Sequence, residues 1–297
     1  MSFRLLRYAS DRGPRAAILV DDRVHDLEGR LTGAEDLDAN CTLSILQNWS
    51  TVEPQLRALA ANPGGAGRPL DVLTLESPLS PANIYCAAAN YFDHYREMHQ
   101  GKDRVKDAVA PYFFLKSTRS VTGPTGRVIK PGYAHDLDWE AEIVAVIGKR
   151  ARNISAADAL GYVAGYCVGN DVSLRDVMIR EDWPAVRTDW LAAKSFEGAG
   201  PMGPWITPAS EIPDPQNLKI NTWVNETVEQ DTNSKDMIYS IAEQIESLSA
   251  RMALEPGDVI FTGTGGGVGE AKGRFMKPGD ICKVTIERLG SLENPID

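Results

Sequence analysis

Two glutamates, Glu140 and Glu142, stand at the head of an apolar, β-branched run, residues 138–148, that closes at Gly148 and the pair Lys149-Arg150. On a strand, alternate side chains share a face, so these carboxylates would be about 7 Å apart at their Cα atoms. Like charges buried without a partner cost several kcal/mol each. The pair therefore needs either a bound cation or a solvated strand end. A second apolar run, residues 162–173, carries Asp171 in its C-terminal half. A third carboxylate on a second strand favours the cation. Glu140, Glu142 and Asp171 can form a three-carboxylate site for a hard ion. Oxygen-only ligation suits Mg2+ or Mn2+, with Ca2+ an alternative in vitro, and argues against zinc. Three protein ligands on an octahedral ion leave about three positions for water or substrate, the open coordination of a catalytic metal.

Other residues could serve such a site. Residues 90–98 read as the start of a helix, which would make His94 and Glu97 neighbours at i, i+3. A carboxylate beside an imidazole orients it and raises its basicity, as a general base requires, and an incidental surface ion pair is the alternative. Lys116 ends an aromatic strand, residues 111–116, either in solvent or aimed into a site. Lys194 sits among small residues that could accommodate an ammonium near carboxylates. The glycine-rich stretch 262–269 matches neither GxGxxG nor GxxxxGK[ST]. It reads as a loop whose backbone approaches a ligand, with Thr264 as a donor, or as a plain tight connection.

The elements that must position these groups follow from pattern. The run 138–148 is apolar on both faces at its Val/Ile end, as a covered central strand is. Residues 84–88 and 162–173 read as further buried strands. Residues 218–230 read as a hairpin turning at Asn225-Glu226. Residues 237–254 predict an amphipathic helix, with Ile238, Ile241, Ile245, Leu248 and Met252 at 3, 4, 3, 4 spacing. Two Pro-Gly-Asp turns, at 256–258 and 278–280, each launch a strand. Residues 1–75 read as a small separate α/β unit: strand, turn and strand over 16–27, a helix over 43–59, and a linker at 62–67. Residues 76–297 form the larger unit.

The 297 residues suffice for a large core, and 41 acidic against 31 basic residues leave a net charge of −10. That balance disfavours nucleic acid and anionic membrane surfaces as partners. The cysteines, Cys41, Cys86, Cys167 and Cys282, form no CxxC pair, which removes zinc-ribbon and thioredoxin readings. The N-terminus lacks a signal-peptide h-region, and no apolar run is long enough to span a bilayer, so a cytoplasmic location is expected.

Taken in order, Asn90-Tyr91-x-Asp93-His94-x-x-Glu97, Phe114-Leu115-Lys116, Asp138-Trp139-Glu140-Ala141-Glu142, Gly169-Asn170-Asp171-Val172-Ser173, Lys194-Ser195-Phe196 and the 262–269 loop resemble the fumarylacetoacetate hydrolase family over about residues 75–290. The resemblance implies an α+β, β-rich fold, a mixed β-sheet roll of the fumarylacetoacetase C-terminal type behind a small N-terminal unit. It implies a homodimer holding Mg2+ or Mn2+ on Glu140, Glu142 and Asp171. His94 and Glu97 would activate water, with Lys116 supporting an oxyanion. Lys194, Thr264, Tyr91 and Arg175 would contact substrate. Gly265 and Ser117 depart from positions where proline is common in the family, and Ala88-Ala89 from a glycine-containing pair, which bears on substrate shape. The implied activity is metal-dependent hydrolysis of a carbon–carbon bond in an acylpyruvate or other 2,4-diketo acid, in aromatic or sugar-acid catabolism. Oxaloacetate decarboxylation and hydratase or isomerase chemistry are alternatives within the family. A non-catalytic module binding metal and a 2-oxo acid is the alternative of another class.

Overall fold

The computed structural model describes residues 2–33, 35–102, 105–106 and 109–297. Its central strand is Ala141–Ile147, every residue of which is buried. The alternation read from sequence sorts its side chains onto two cores. Ile143, Ala145 and Ile147 pack with Ile220, Val284 and the helical residues Ile245 and Leu248. Val144 and Val146 face Leu5, Ile18, Trp49 and Leu56. Fully burying each such Val or Ile contributes about 1.5–3 kcal/mol. The strand is held from both sides, which is why its end can present charge at a defined place.

Its antiparallel neighbours are Val163–Asn170 and Val259–Thr264. Beyond Val259–Thr264 lie Ile84–Ala87 in parallel and then Phe113–Lys116 antiparallel. Beyond Val163–Asn170 comes Gly200–Pro208, then Arg4–Tyr8, Arg15–Val20, Arg23–Asp26 and Arg68–Pro69. The strands contributed by residues 1–75 thus continue the sheet that contains the central strand, and their apolar side chains share its second core. A separate four-stranded sheet runs in the order Thr227–Asn233, Lys219–Val224, Ile281–Ile286, Gly290–Pro295. The fold is α+β and β-rich, with parallel and antiparallel pairs mixed in one large sheet.

Several elements differ in extent from the sequence pattern. The run 138–148 is two pieces: Leu137–Asp138 pairs with Ser173–Leu174, and Glu140 lies between that pair and the central strand. Asp171 is one residue beyond its strand, because the ladder ends at Ala141↔Asn170. The helix over 237–254 narrows to Ile241–Arg251, since Ser240 and Glu243 form a capping box that sets its start. The helix over 43–59 is Thr42–Gln47 followed by Trp49–Ala61. No helix among the described residues is long and apolar enough to cross a membrane. The four cysteines are free thiols.

Candidate metal centre

The three carboxylates meet where the central ladder frays. Glu142 is the second residue of the central strand, opposite Gly169 on one side and Thr264 on the other. One step earlier the regular ladder stops and side chains replace it. The Glu140 N–H donates to Asn170 Oδ1 at 2.9 Å, and the Asp171 N–H donates to the Glu140 carbonyl, also at 2.9 Å. The chain ends so fixed bring one carboxylate oxygen each from Glu140, Glu142 and Asp171 within 4.8 Å of one another, all in buried side chains.

Three cations surround them. Lys116 Nζ is 2.6 Å from Asp171 Oδ1. Lys194 Nζ lies 2.8 Å from both Glu140 Oε2 and Asp171 Oδ2. Arg175 reaches Glu140 Oε1 at 2.6 Å, Asp138 Oδ2 at 2.9 Å and Glu270 Oε2 at 3.3 Å. These partners set the protonation states. Burial pushes Glu140 up, but Lys194, Arg175 and His94 outweigh it and hold its carboxyl down at about 2. Burial lowers Lys194, yet Asp171 and Glu140 raise it overall. Arg175 is likewise raised, its desolvation overcome by Glu140, Asp138 and Glu270. Glu142 is the odd member. Its Oε2 accepts the Gly263 N–H at 2.7 Å, but no ion pair reaches it among the described residues. Burial, Asp171 and Glu140 together drive its pKa well above the usual carboxylate range.

This donor set fits a divalent cation. Five carboxylates (Asp138, Glu140, Glu142, Asp171, Glu270) face three cations, so with Glu142 ionised two negative charges lack compensation. Hard oxygen donors and a double charge deficit are what a Mg2+- or Mn2+-sized ion satisfies. Glu140, Glu142 and Asp171 are the residues that would hold it.

His94 and Glu97 lie on the short helix Phe92–Met98, at the i, i+3 spacing read from sequence. His94 Nδ1 is 3.2 Å from Glu97 Oε1. With the proton assigned to Nδ1, it donates to Glu97 and leaves Nε2 as the basic nitrogen. The Gly267 N–H in turn donates to both Glu97 oxygens, at 3.0 and 2.9 Å. Burial raises Glu97, but His94 and the Gly267 amide outweigh it and hold the carboxyl below its usual value. The glycine-rich loop is therefore a backbone clamp on two carboxylates. Gly263 has φ +97° and Gly267 φ +98°, and a Cβ on Gly267 would meet the Glu229 carbonyl oxygen at 2.3 Å.

One cavity of about 390 Å³ reaches one member of each group: His94 and Glu140 line it together with Arg175, Lys194 and Thr264, Phe114 and Trp190 are among its apolar walls, and Glu97, Glu142 and Asp171 lie behind that lining. Not every residue expected at the site faces it. Lys116 is wholly buried and turns its ammonium to Asp171. Tyr91 is fully buried, and its hydroxyl lacks a hydrogen-bond partner among the described residues. Thr264 Oγ1 accepts from Gln230 Nε2 at 2.8 Å. Sequence reading missed the groups that hold the ligands. Asp138 accepts from the Trp139, Gly269 and Glu270 amides as well as Arg175. Ser173 Oγ donates to Glu140 Oε1 at 3.2 Å, and Asn90 ties the Tyr239 and Thr262 backbones together. The available signal was adjacency: Asp138, Asn170 and Ser173 each sit within two residues of a candidate ligand.

The chain is similar to known proteins over most of its length. A family model described as "Fumarylacetoacetate (FAA) hydrolase C-terminal" matches residues 83–297. A Dictyostelium discoideum fumarylacetoacetate hydrolase domain-containing protein 2 homolog is 34% identical over 96% of this chain and 93% of its own. A human protein named as a mitochondrial oxaloacetate tautomerase, FAHD2B, is 35% identical over 88% of this chain and 80% of its own. The crystal structure of maleylpyruvate hydrolase from Sphingobium sp. SYK-6, in complex with manganese (II) ion and pyruvate, superposes with a TM-score of 0.77. It is 28% identical, and the match covers 99% of this chain and 98% of that one.

Proposed function

The chain belongs to the fumarylacetoacetate hydrolase family, and from that premise we propose that it is a divalent-metal enzyme interconverting the enol and keto forms of oxaloacetate or a closely similar 2-oxo acid. The observation that carries the reading is a single cavity lined by the His94 imidazole, the Glu140 carboxylate and the Lys194 ammonium. The similarity to an oxaloacetate tautomerase supports the choice of substrate.

Keto–enol conversion moves one proton between the oxygen on C2 and the carbon C3, and no other atom is gained or lost. His94 Nε2, oriented by Glu97 through Nδ1, holds or delivers that proton at C3. Lys194 and Thr264 line the cavity wall beside the place where the 2-oxo acid end would sit. Lys116, behind them, offsets the charge of Asp171. Mg2+ or Mn2+ on Glu140, Glu142 and Asp171 would act as a Lewis acid toward the 2-oxo acid end. The apolar walls limit water around the proton in transit.

Hydrolysis of an acylpyruvate is the second reading, and the His94–Glu97 pair favours it. The same imidazole could take a proton from water that attacks a distal carbonyl, with cleavage releasing pyruvate or a related 2-oxo acid. The likeness to a maleylpyruvate hydrolase supports this reading. Metal-loaded protein mixed with enol oxaloacetate, acetylpyruvate and maleylpyruvate separates the two. The tautomerase reading expects rapid loss of the enol's ultraviolet absorbance without pyruvate. Pyruvate from either acylpyruvate, with enol oxaloacetate decaying only at its spontaneous rate, reverses the order.

A further inference from the structure

Residues 178–190 form one wall of the cavity, and Met178, Ile179, Arg187 and Trp190 line it. The wall is pinned at its neck. The Asp189 N–H donates to the Met178 carbonyl at 2.8 Å, the Arg180 N–H donates to the Arg187 carbonyl at 2.6 Å, and Ile179 bridges Thr188. This neck holds Arg187 in the left-handed region at φ +63°, where a side chain bearing a Cβ sits at a cost. An arginine maintained there, on a cavity wall, has its place fixed by the surrounding hydrogen bonds.

The charges of the cavity give that place a meaning. Among the described residues, its arginine and lysine lining is Arg175, Arg187 and Lys194. Arg175 is engaged by Asp138, Glu140 and Glu270, and Lys194 by Glu140 and Asp171. The acidic groups nearest Arg187 in the chain, Asp182 and Asp189, pair with Arg180 instead. Arg187 forms no ion pair among the described residues. The cavity thus has one pole at the carboxylate cluster, where Arg175 and Lys194 are already engaged by carboxylates, and one unpaired cation on the 178–190 wall, with Met178, Ile179 and Phe114 among the apolar lining.

We propose that Arg187 is a specificity-determining residue: it binds the distal carboxylate of a 2-oxo dicarboxylic acid whose 2-oxo acid end lies at the carboxylate cluster. The inference rests on the reading that this cavity is the substrate site. A guanidinium presents a planar fork that matches a carboxylate, so the site would favour diacids over monoacids of equal length.

The test is calorimetric binding to Mn2+-loaded protein of oxaloacetate and 2-oxobutyrate, which differ in the distal group alone. Arg187→Gly is the variant of choice because glycine adopts the left-handed conformation without strain. Wild-type protein should bind oxaloacetate more tightly than 2-oxobutyrate. Arg187→Gly should lose roughly ten- to a hundredfold for oxaloacetate, with 2-oxobutyrate unchanged and the melting temperature preserved. Arg187→Lys should recover part of the loss. Equal binding of the two acids by wild-type protein, or an unaltered preference in Arg187→Gly, overturns the inference. Loss of the preference in Arg187→Gly supports it even if wild-type protein leaves enol oxaloacetate unconverted, a result that would remove the proposed activity alone.

Discussion

Replacing Lys194 with methionine tests whether the carboxylate cluster is a cation site balanced by internal lysines. Lys194 is 2% exposed, and its ammonium sits 2.8 Å from one oxygen each of Glu140 and Asp171. Methionine keeps most of the volume and removes the charge. Breaking a buried pair by deleting one partner costs roughly 3–5 kcal/mol. Here Glu140 keeps Arg175 and Asp171 keeps Lys116, each at 2.6 Å, so the lower end, about 3 kcal/mol, applies. At about 2 °C per kcal/mol for a chain of this size, the melting temperature in EDTA should fall by about 6 °C. The lysine's pKa is raised in the fold, so its contribution is complete below the unfolded value of about 10 and is lost only as pH climbs through the raised one. The deficit should therefore be flat across neutral pH. A divalent ion at about a hundred times its Kd adds about 2.7 kcal/mol. It should stabilise Lys194→Met more than wild type, because the variant's carboxylates lack one counter-charge. Thermal melts with EDTA, Mg2+ and Mn2+ measure both effects. A variant melting within about 1 °C of wild type in EDTA, or gaining less from metal than wild type does, would refute the reasoning.

His94→Ala should lower kcat by roughly 10²–10⁴-fold and leave Mn2+ affinity intact, read by steady-state kinetics beside a metal titration. Glu142→Gln should raise the metal-free melting temperature, since it removes a carboxylate crowded by Asp171 and Glu140, while Mn2+ affinity measured by calorimetry falls at least tenfold (about 1.4 kcal/mol). Glu97 has a depressed folded pKa, so its contribution is full above the unfolded value of about 4.3 and is lost as pH falls through the depressed one. Glu97→Gln should erase that acid limb; wild type and variant losing stability in parallel below about pH 4.3 would contradict the assignment.

The groups that could do chemistry were legible because they break pattern. Carboxylates at the ends of apolar runs, as at Glu142 and Asp171, are anomalies that demand a partner, and the partner's type follows from the donors. The two-faced burial of the central strand was legible from composition: an unbroken apolar run, with both alternate sets of positions apolar, suits a strand covered on both sides. What escaped were interactions set by chain ends rather than by periodicity. Glu140 sits outside the regular ladder because the Asn170 side chain takes over a backbone partner's place. Asp138, which anchors Arg175 and caps the amides of Gly269 and Glu270, read as one more strand residue. Arg175, which the resemblance set against substrate, is drawn inside by three carboxylates from two segments, Asp138 and Glu140 on one and Glu270 on the other. Contacts between segments from about 30 to more than 130 residues apart leave no periodic trace. Nor does the neck at Arg187, whose left-handed backbone is imposed by its neighbours and not by its own side chain.

The most direct test of the account is the rate of enol oxaloacetate conversion by metal-stripped protein titrated with Mn2+, followed in the ultraviolet alongside Glu142→Ala. The account predicts that stripped protein converts the enol at the spontaneous rate, that Mn2+ restores conversion in step with its binding, and that Glu142→Ala gains nothing from the ion. Full conversion by stripped protein, or a Glu142→Ala variant that responds to Mn2+ as wild type does, would contradict it.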